Sequence, residues 1–281
     1  KHSTLQTTAG GSALNTVRCA NVSFKLPKAY VKRKYPNACL YFGAIGDDSS
    51  GEIVKHEMDK VFDFSILGGS LNNFCVVEGL PTVDVLLSSM KEKEHSVVML
   101  EQVLNTSILI WSRICICSQM PKFYTQLAFS SFLLLKALKE SLNMLMKIQK
   151  LLPLIFHGLH LSILFKAVVE LIPYADFVFG NEDETEAFGK AVGLEFTNLH
   201  DVTTFIANMS ELEPNLERNT TQGKNPVLCS VYNHETGDLH TFTTEVDVID
   251  KENIMDLNGA GDAFVGGFLL SMFKEEQFKN A

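Results

Sequence analysis

Short apolar runs that alternate with amphipathic segments constrain the fold of this chain more than any other feature. The apolar runs predict strands at 38–45, 73–78, 83–88, 175–179 and 227–232. Spacing of three and four residues between apolar side chains predicts helices at 51–61, 182–192 and 262–274. Strands that alternate with helices form a mainly parallel sheet covered on both faces. The sequence therefore predicts an α/β protein with three layers.

Composition narrows the classes of function. The chain has 281 residues, 46% of them hydrophobic, and a net charge of −9. A general nucleic-acid binder or a protein of anionic membranes needs a basic face, so we expect neither. The apolar stretch at 151–165 contains Pro153 and two histidines and is too short to span a bilayer. Six scattered cysteines without zinc-site spacing indicate reduced thiols in a cytosolic protein.

The segment 256–262, with the sequence DLNGAGD, carries the strongest chemical signal. Small residues at 259–261 permit close approach to a ligand, and a predicted helix begins there. Amide groups at a helix start attract a phosphate or a developing oxyanion. Asp262 beside such a site would repel a bound phosphate, but it suits a base that removes a proton from a hydroxyl. From the residues alone, a simple helix cap formed by Asn258 and Asp262 after the glycine turn remains an alternative.

Three further segments combine glycine or capping residues with a predicted helix start. Residues 181–184, with the sequence NEDE, have the pattern of a capping box, which is sufficient by itself to explain them. Residues 9–15 (AGGSALN) contain a Gly-Gly turn before a helix, and no lysine follows as in a phosphate-binding P-loop. Residues 43–51 (GAIGDDSSG) indicate a structural turn after a strand.

Two of these stretches resemble one family closely. NGAGDAFVGGFL at 258–269 and YADFVFGNEDE at 174–184 are similar to the ribokinase or phosphofructokinase-B family of sugar and nucleoside kinases, in particular to adenosine kinases. The resemblance implies a ribokinase-like fold with a small, here incomplete, β lid, in a single kinase domain over 1–281. It also implies ATP-dependent phosphorylation of the 5′-hydroxyl of adenosine, with Mg²⁺ as the metal.

The resemblance implies a role for each matching residue. Asp262 is the implied catalytic base. The residues implied to stabilise the transferred phosphoryl group are Asn258, Gly259, Ala260 and Gly261. Those implied to bind the nucleoside are Gly10, Gly11 and Asn15. Those implied to bind the nucleotide are Thr221, Gly223 and Asp256. Asn181 and Glu184 are implied to hold water around Mg²⁺.

The sequence departs from the family in several places. Leu257 stands where the family has threonine, and Val83 and Asp84 replace an expected Gly-Thr. No family pattern is readable at 95–165, and the family's first strand and last helix are missing. We therefore expect a fragment of such a kinase, disrupted in its middle, that acts as a monomer in the cytoplasm or nucleus. Two alternatives stay open: a sugar kinase of this family, and an inactive nucleoside-binding protein.

Overall fold

The structure is a computed structural model. It describes residues 9–11, 14–16, 18–19, 43–61, 74–79, 82, 85–88, 96–99, 126–127, 153–155, 169, 172–175, 177–209, 215–233, 235–254 and 257–279. Asp256 lies outside these ranges. The chain divides into two compact units, Lys1–Met120 and Pro121–Ala281. The prediction of a single domain over 1–281 stays a prediction.

The described part of the first unit contains two small pairs of strands and one long helix. Its elements are β1 (Gly43–Gly46), α1 (Ser49–Val61), β2 (Phe74–Val77), β3 (Val85–Ser88) and β4 (Ser96–Met99). β1 and β2 are parallel, and β3 and β4 are antiparallel. Helical turns are also present at 14–16 and 18–19. The strands predicted at 38–45, 73–78 and 83–88 and the helix at 51–61 are therefore present where the structure describes them.

The turn between β1 and α1 is held by Asp48. Its Oδ1 accepts hydrogen bonds from the Gly51 amide at 2.8 Å and the Thr82 hydroxyl at 2.6 Å. Its Oδ2 accepts a bond from the Thr82 amide at 2.6 Å. The Thr82 hydroxyl in turn accepts from the Gly46 amide at 2.9 Å. A Cβ at Gly51 would lie 2.5 Å from the Gly46 carbonyl oxygen, so glycine is required there.

The second unit is built on a six-stranded sheet in the order β10-β9-β8-β7-β6-β5. Its elements are β5 (Gln126–Leu127), β6 (Pro153–Ile155), a 3-10 turn (Ile172–Tyr174), β7 (Phe177–Asn181), α2 (Glu182–Ala191), α3 (Leu199–Ala207), β8 (Asn215–Gln222), β9 (Asn225–Asn233), β10 (Asp238–Thr244), a second 3-10 turn (Lys251–Asn253) and α4 (Ala260–Lys279). β5 to β8 are parallel, whereas β9 and β10 are antiparallel to their neighbours. The sheet is therefore mixed.

Helices cover both faces of β7. Phe177 and Phe179 face α4 and form a cluster with Val265, against which Phe264 and Phe268 pack. Because side chains alternate along a strand, Val178 faces the opposite side. There it lies beside Thr185 of α2 and Thr203 of α3. This arrangement is the three-layer packing that the alternating sequence pattern predicts.

Two local features of this unit were not predicted from the sequence. Residues 215–220 were not predicted as a strand, because the sequence NLERNT lacks an apolar alternation. They form β8 because both neighbouring strands supply a complete hydrogen-bonding ladder. β7 also extends beyond the strand predicted at 175–179, because Gly180 and Asn181 pair with Thr220 and Thr221. Within the described residues, no helix has the length and apolar character that crossing a bilayer requires.

Candidate active site

Several candidate residues follow the carboxyl ends of neighbouring strands. Asn181 is the last residue of β7, and its register partner on the parallel strand β8 is Thr221. The Thr221 hydroxyl lies 3.4 Å from the Gly180 carbonyl oxygen, to which it donates a long hydrogen bond. Gly223 lies in the tight turn after β8 with φ of +56°, a conformation that favours glycine. These three candidates therefore share one edge of the sheet.

Asn181 and Glu184 form a complete capping box at the start of α2. The Asn181 side chain accepts a hydrogen bond from the Glu184 amide at 2.8 Å, and Glu184 Oε2 accepts one from the Asn181 amide at 2.9 Å. Asn181 is exposed, whereas Glu184 is buried with 8% of its surface accessible. The box therefore fixes the direction of a carboxylate at the edge of the sheet.

α4 begins with a glycine turn. Gly259 has φ of +76°, and its carbonyl accepts the first helical hydrogen bond, from the Ala263 amide at 2.8 Å. The Ala260 amide donates to the Leu257 carbonyl at 3.2 Å, so it does not point freely outward as the sequence suggested. Gly261 is exposed, and no atom lies within 4 Å of the position that a Cβ would occupy. A ligand therefore has room to approach the backbone at Gly261.

Asp262 lies on the core side of the first turn of α4. Its surface is 7% accessible, and Val265 and Gly266 continue the buried stripe along the helix. Carboxylates are seldom this buried unless they are paired or functional. Burial therefore changes along this helix start: Asp262 is buried, whereas Ala260 and Gly261 before it are exposed.

Aromatic contacts establish the direction of α4 along β7. Phe264 packs edge-on against Phe179, with ring centroids 6.3 Å apart. Phe268, one turn later, packs against both Phe179 and Phe177, at 5.2 and 5.3 Å. α4 therefore runs antiparallel to β7, and its first turn lies toward the carboxyl end of the strand. Asp262 is thereby placed at the end of the sheet that also carries Asn181 and Thr221.

The candidate nucleoside-binding residues belong to the first unit. Gly10 and Gly11 are exposed, and Gly11 has φ of +109°, which favours glycine. The Gly11 carbonyl accepts a hydrogen bond from the Asn15 amide at 2.9 Å, so Asn15 lies in the first helical turn. Arg18 donates to the Ala9 carbonyl at 3.1 Å and lies 3.8 Å from the carboxylate of Glu57 on α1. The sequence did not indicate that Arg18 would hold the segment around Gly10 and Gly11, which we call the glycine loop.

A layer of buried polar residues beneath α2 and α3 was also missed. It consists of Thr185, Thr203, Arg218, Thr220 and Ser230, each at most 3% accessible. Because the strand that supplies Arg218 and Thr220 was not predicted, nothing in the sequence indicated that these residues are buried together. All of them except Ser230 line a small cavity against β7.

Comparison with known proteins agrees with this architecture. The family model for pfkB family carbohydrate kinases matches residues 89–281, so the likeness extends across the segment in which we expected it to break. Adenosine kinase 2 of Arabidopsis thaliana is 28% identical over 285 residues, covering 96% of this chain and 74% of the relative.

Two solved structures share the fold. Adenosine kinase from Schistosoma mansoni in complex with 2-fluoroadenosine superposes with a TM-score of 0.72 at 24% identity, covering 95% of this chain and 74% of that one. Anopheles gambiae adenosine kinase in complex with P1,P4-di(adenosine-5) tetraphosphate gives 0.73 at 21% identity, with the same coverage of both chains. At these identities the likeness establishes the ribokinase-like α/β fold. The family match over more than half of its length shows that this chain belongs to the pfkB family of carbohydrate kinases.

Proposed function

We propose that this chain transfers the terminal phosphoryl group of ATP to the 5′-hydroxyl of adenosine and so forms AMP. The family match makes it a phosphotransferase, and a relative that aligns with most of the chain is an adenosine kinase. One structural observation carries the proposal. The antiparallel packing of α4 on β7 puts Asp262 at the sheet edge that also carries Asn181 and Thr221.

Asp262 is the proposed general base. Its carboxylate lies in the first turn of α4, beside small residues that let a substrate hydroxyl approach. A carboxylate there accepts the proton that the hydroxyl loses as its oxygen attacks phosphorus. Phosphoryl transfer depends mostly on positioning and on charge stabilisation, so a fixed carboxylate next to an open backbone suits this reaction.

The start of α4 is the proposed site of charge stabilisation. Gly259, Ala260 and Gly261, with Asn258 before them, surround the positive end of the helix dipole. Negative charge that develops on the transferred phosphoryl group is stabilised there. The Ala260 amide must first leave the Leu257 carbonyl to take part. Leu257 is 63% accessible and offers no hydroxyl for the nucleotide phosphates.

Asn181 and Glu184 are the proposed residues for Mg²⁺. Amide and carboxylate oxygens are the hard donors that Mg²⁺ prefers, and each of these side chains keeps acceptor capacity beyond the capping box. In the described ranges, no group of three or more His, Cys, Asp or Glu side chains forms a metal cage. The donor set therefore fits an ion held largely through water and nucleotide phosphates. At Asn181 and Glu184, a bound Mg²⁺ would supply positive charge that offsets the charge of the nucleotide phosphates.

The remaining candidates divide between the two substrates. Thr221 and Gly223, at the end of β8, are proposed to contact ATP, together with Asp256, which lies outside the described residues. Gly10, Gly11 and Asn15 are proposed to contact the ribose of adenosine. Such an enzyme would act in purine salvage. Among the described residues, Cys19 and Cys229 are not joined in a disulfide, which supports a reducing compartment such as the cytoplasm.

The test is a phosphotransfer assay with adenosine or ribose, using Mg·ATP as the donor. We expect AMP from adenosine, and Asp262→Asn should lower kcat by about 10²- to 10⁴-fold because the base is lost. Asp247→Asn, at an exposed position, serves as the control and should behave as wild type. Phosphorylation of ribose instead would favour the sugar kinase. Adenosine binding without turnover would favour the inactive binding protein.

A further inference from the structure

A pair of buried threonine hydroxyls joins α2 to β8. Thr185 Oγ1 lies 3.2 Å from Thr220 Oγ1, within hydrogen-bonding distance. The two residues are 1% and 3% accessible, so water does not compete for the contact. They are 35 positions apart in the chain, and their contact therefore depends on the tertiary fold.

Packing alone does not explain this pair. Valine has the same branched shape as threonine and would fill the same volume between helix and sheet without burying polar atoms. A hydrogen bond adds a direction to the contact, since it fixes both hydroxyls at one distance and angle. A buried hydroxyl pair is therefore suited to hold two elements in one relative position.

The neighbours of the pair are residues already assigned to the proposed active site. Thr185 directly follows Glu184, in the first turns of α2. Thr220 directly precedes Thr221, at the end of β8. Thr221 is also the register partner of Asn181, the other member of the capping box. The hydroxyl contact thus connects the Mg²⁺ candidates on α2 to the nucleotide candidate on β8.

We propose that Thr185 and Thr220 are positioning residues for the Mg²⁺–nucleotide site. Their contact sets the position of the Glu184 carboxylate relative to the end of β8. Neither residue is assigned a contact with substrate or metal. This inference rests on the proposed function, because it concerns the site in which Asn181, Glu184 and Thr221 act together.

The structure supplies a matched control. Ser230 of β9 donates to the Thr203 hydroxyl of α3 at 3.2 Å, and these residues are 0% and 1% accessible. This second pair has the same chemistry, distance and burial. It joins α3 to β9, however, and neither residue adjoins an active-site candidate in sequence. Loss of either contact should lower stability, but loss of the first alone should weaken Mg·nucleotide binding.

The experiment measures Mg·ADP binding by calorimetry on the full chain, together with the Mg²⁺ dependence of turnover. Thr220→Val should weaken Mg·ADP binding by about tenfold, the lower end of the effect of losing a residue that orients the ligands of a metal. Thr220→Ser keeps the hydroxyl and should restore binding to near the wild-type value. The KM for adenosine should stay unchanged, and Ser230→Ala should bind Mg·ADP as wild type does.

The outcomes separate the two proposals. Equal Mg·ADP affinity in Thr220→Val and wild type would overturn the positioning role while leaving the kinase function intact. If the wild-type chain binds Mg·ADP but does not phosphorylate adenosine, the kinase function is overturned. The comparison of Mg·ADP affinities among the variants still tests the positioning role of Thr185 and Thr220. A wild-type chain that neither binds Mg·ADP nor turns over adenosine would overturn both. Should Thr220→Val fail to fold, Thr185→Val tests the same contact from the helix side.

Discussion

Asn181 and Glu184 fix one another at the start of α2, each accepting a hydrogen bond from the backbone amide of the other. This reciprocal contact has a structural purpose, because it caps a helix, and it also directs a carboxylate along the sheet edge. The two purposes are separable by substitution, since glutamine preserves the shape and the acceptor oxygen of glutamate but not its charge.

Glu184→Gln should therefore leave stability within about 0.5 kcal/mol of wild type, because the cap persists. The Mg²⁺ concentration for half-maximal activity should rise by about tenfold or more, because the negative charge near the metal is lost. Glu182→Gln removes the same charge from an exposed position in the same turn and is the control. Similar Mg²⁺ requirements in the two variants would contradict the metal assignment.

Arg18 should support the glycine loop that we assign to the nucleoside. Arg18→Met removes its bond to the Ala9 carbonyl and its charge near Glu57. Losing about 1 kcal/mol of loop stabilisation should raise the KM for adenosine about fivefold, with the KM for ATP unchanged. Hydrogen exchange at residues 9–16 should become faster in this variant, and this measurement does not depend on activity.

Lys55→Met is the matched control for Arg18→Met. Lys55 forms an ion pair with Glu52 within α1, at 2.5 Å, so Lys55→Met also removes one positive charge and one ion pair. We expect no change in exchange at 9–16. If the two variants alter exchange there equally, Arg18 has no specific role in the loop.

Asp48 should make the first unit sensitive to acid. The Thr82 hydroxyl bond, followed by the Gly51 and Thr82 amide bonds, lowers the pKa of Asp48 below its ordinary value of 3.8. A carboxyl group whose pKa is lower in the folded state contributes stability above its unfolded pKa. That contribution is lost as pH falls below about 4 through the folded value.

Asp48→Asn should therefore be less stable than wild type at pH 7, and the difference should shrink below about pH 4. Urea denaturation at several pH values measures it. Asp47→Asn, at the exposed neighbouring position, should show no such convergence. A stability difference that is constant with pH would show that the Asp48 charge is not what stabilises this turn.

Gly189 and Gly267 lie inside helices but should respond oppositely to alanine. A Cβ at Gly189 would lie 2.7 Å from Phe196 Cε1 and 2.9 Å from Val202 Cγ2, whereas nothing lies within 4 Å of one at Gly267. Gly189→Ala should destabilise by about 1–3 kcal/mol through overpacking. Gly267→Ala should stabilise by about 0.5–1 kcal/mol through helix propensity. Chemical denaturation measures both, and a stabilising Gly189→Ala would contradict the close approach.

The sequence was sufficient to predict those features whose contacts join residues only a few positions apart. The capping box at Asn181 and Glu184 and the glycine turn before α4 could both be read from the sequence, because their contacts are local. β8 could not, since its polar residues are buried by partners from α2, α3 and β9 that lie far along the chain. The polar layer around Thr220 follows from that strand and was missed with it. The bond that engages the Ala260 amide was missed because it depends on turn geometry.

Because α4 packs on β7 through aromatic side chains, the identity of these core residues determines where Asp262 lies. Each helical residue rises 1.5 Å, so slipping α4 by one turn against Phe177 and Phe179 would carry Asp262 about 5.4 Å along the strand axis. Such a slip is longer than any hydrogen bond between a base and a hydroxyl. Substitutions at Phe264 or Phe268, which touch no reactant, can therefore abolish turnover in a molecule that is still folded, because they displace Asp262.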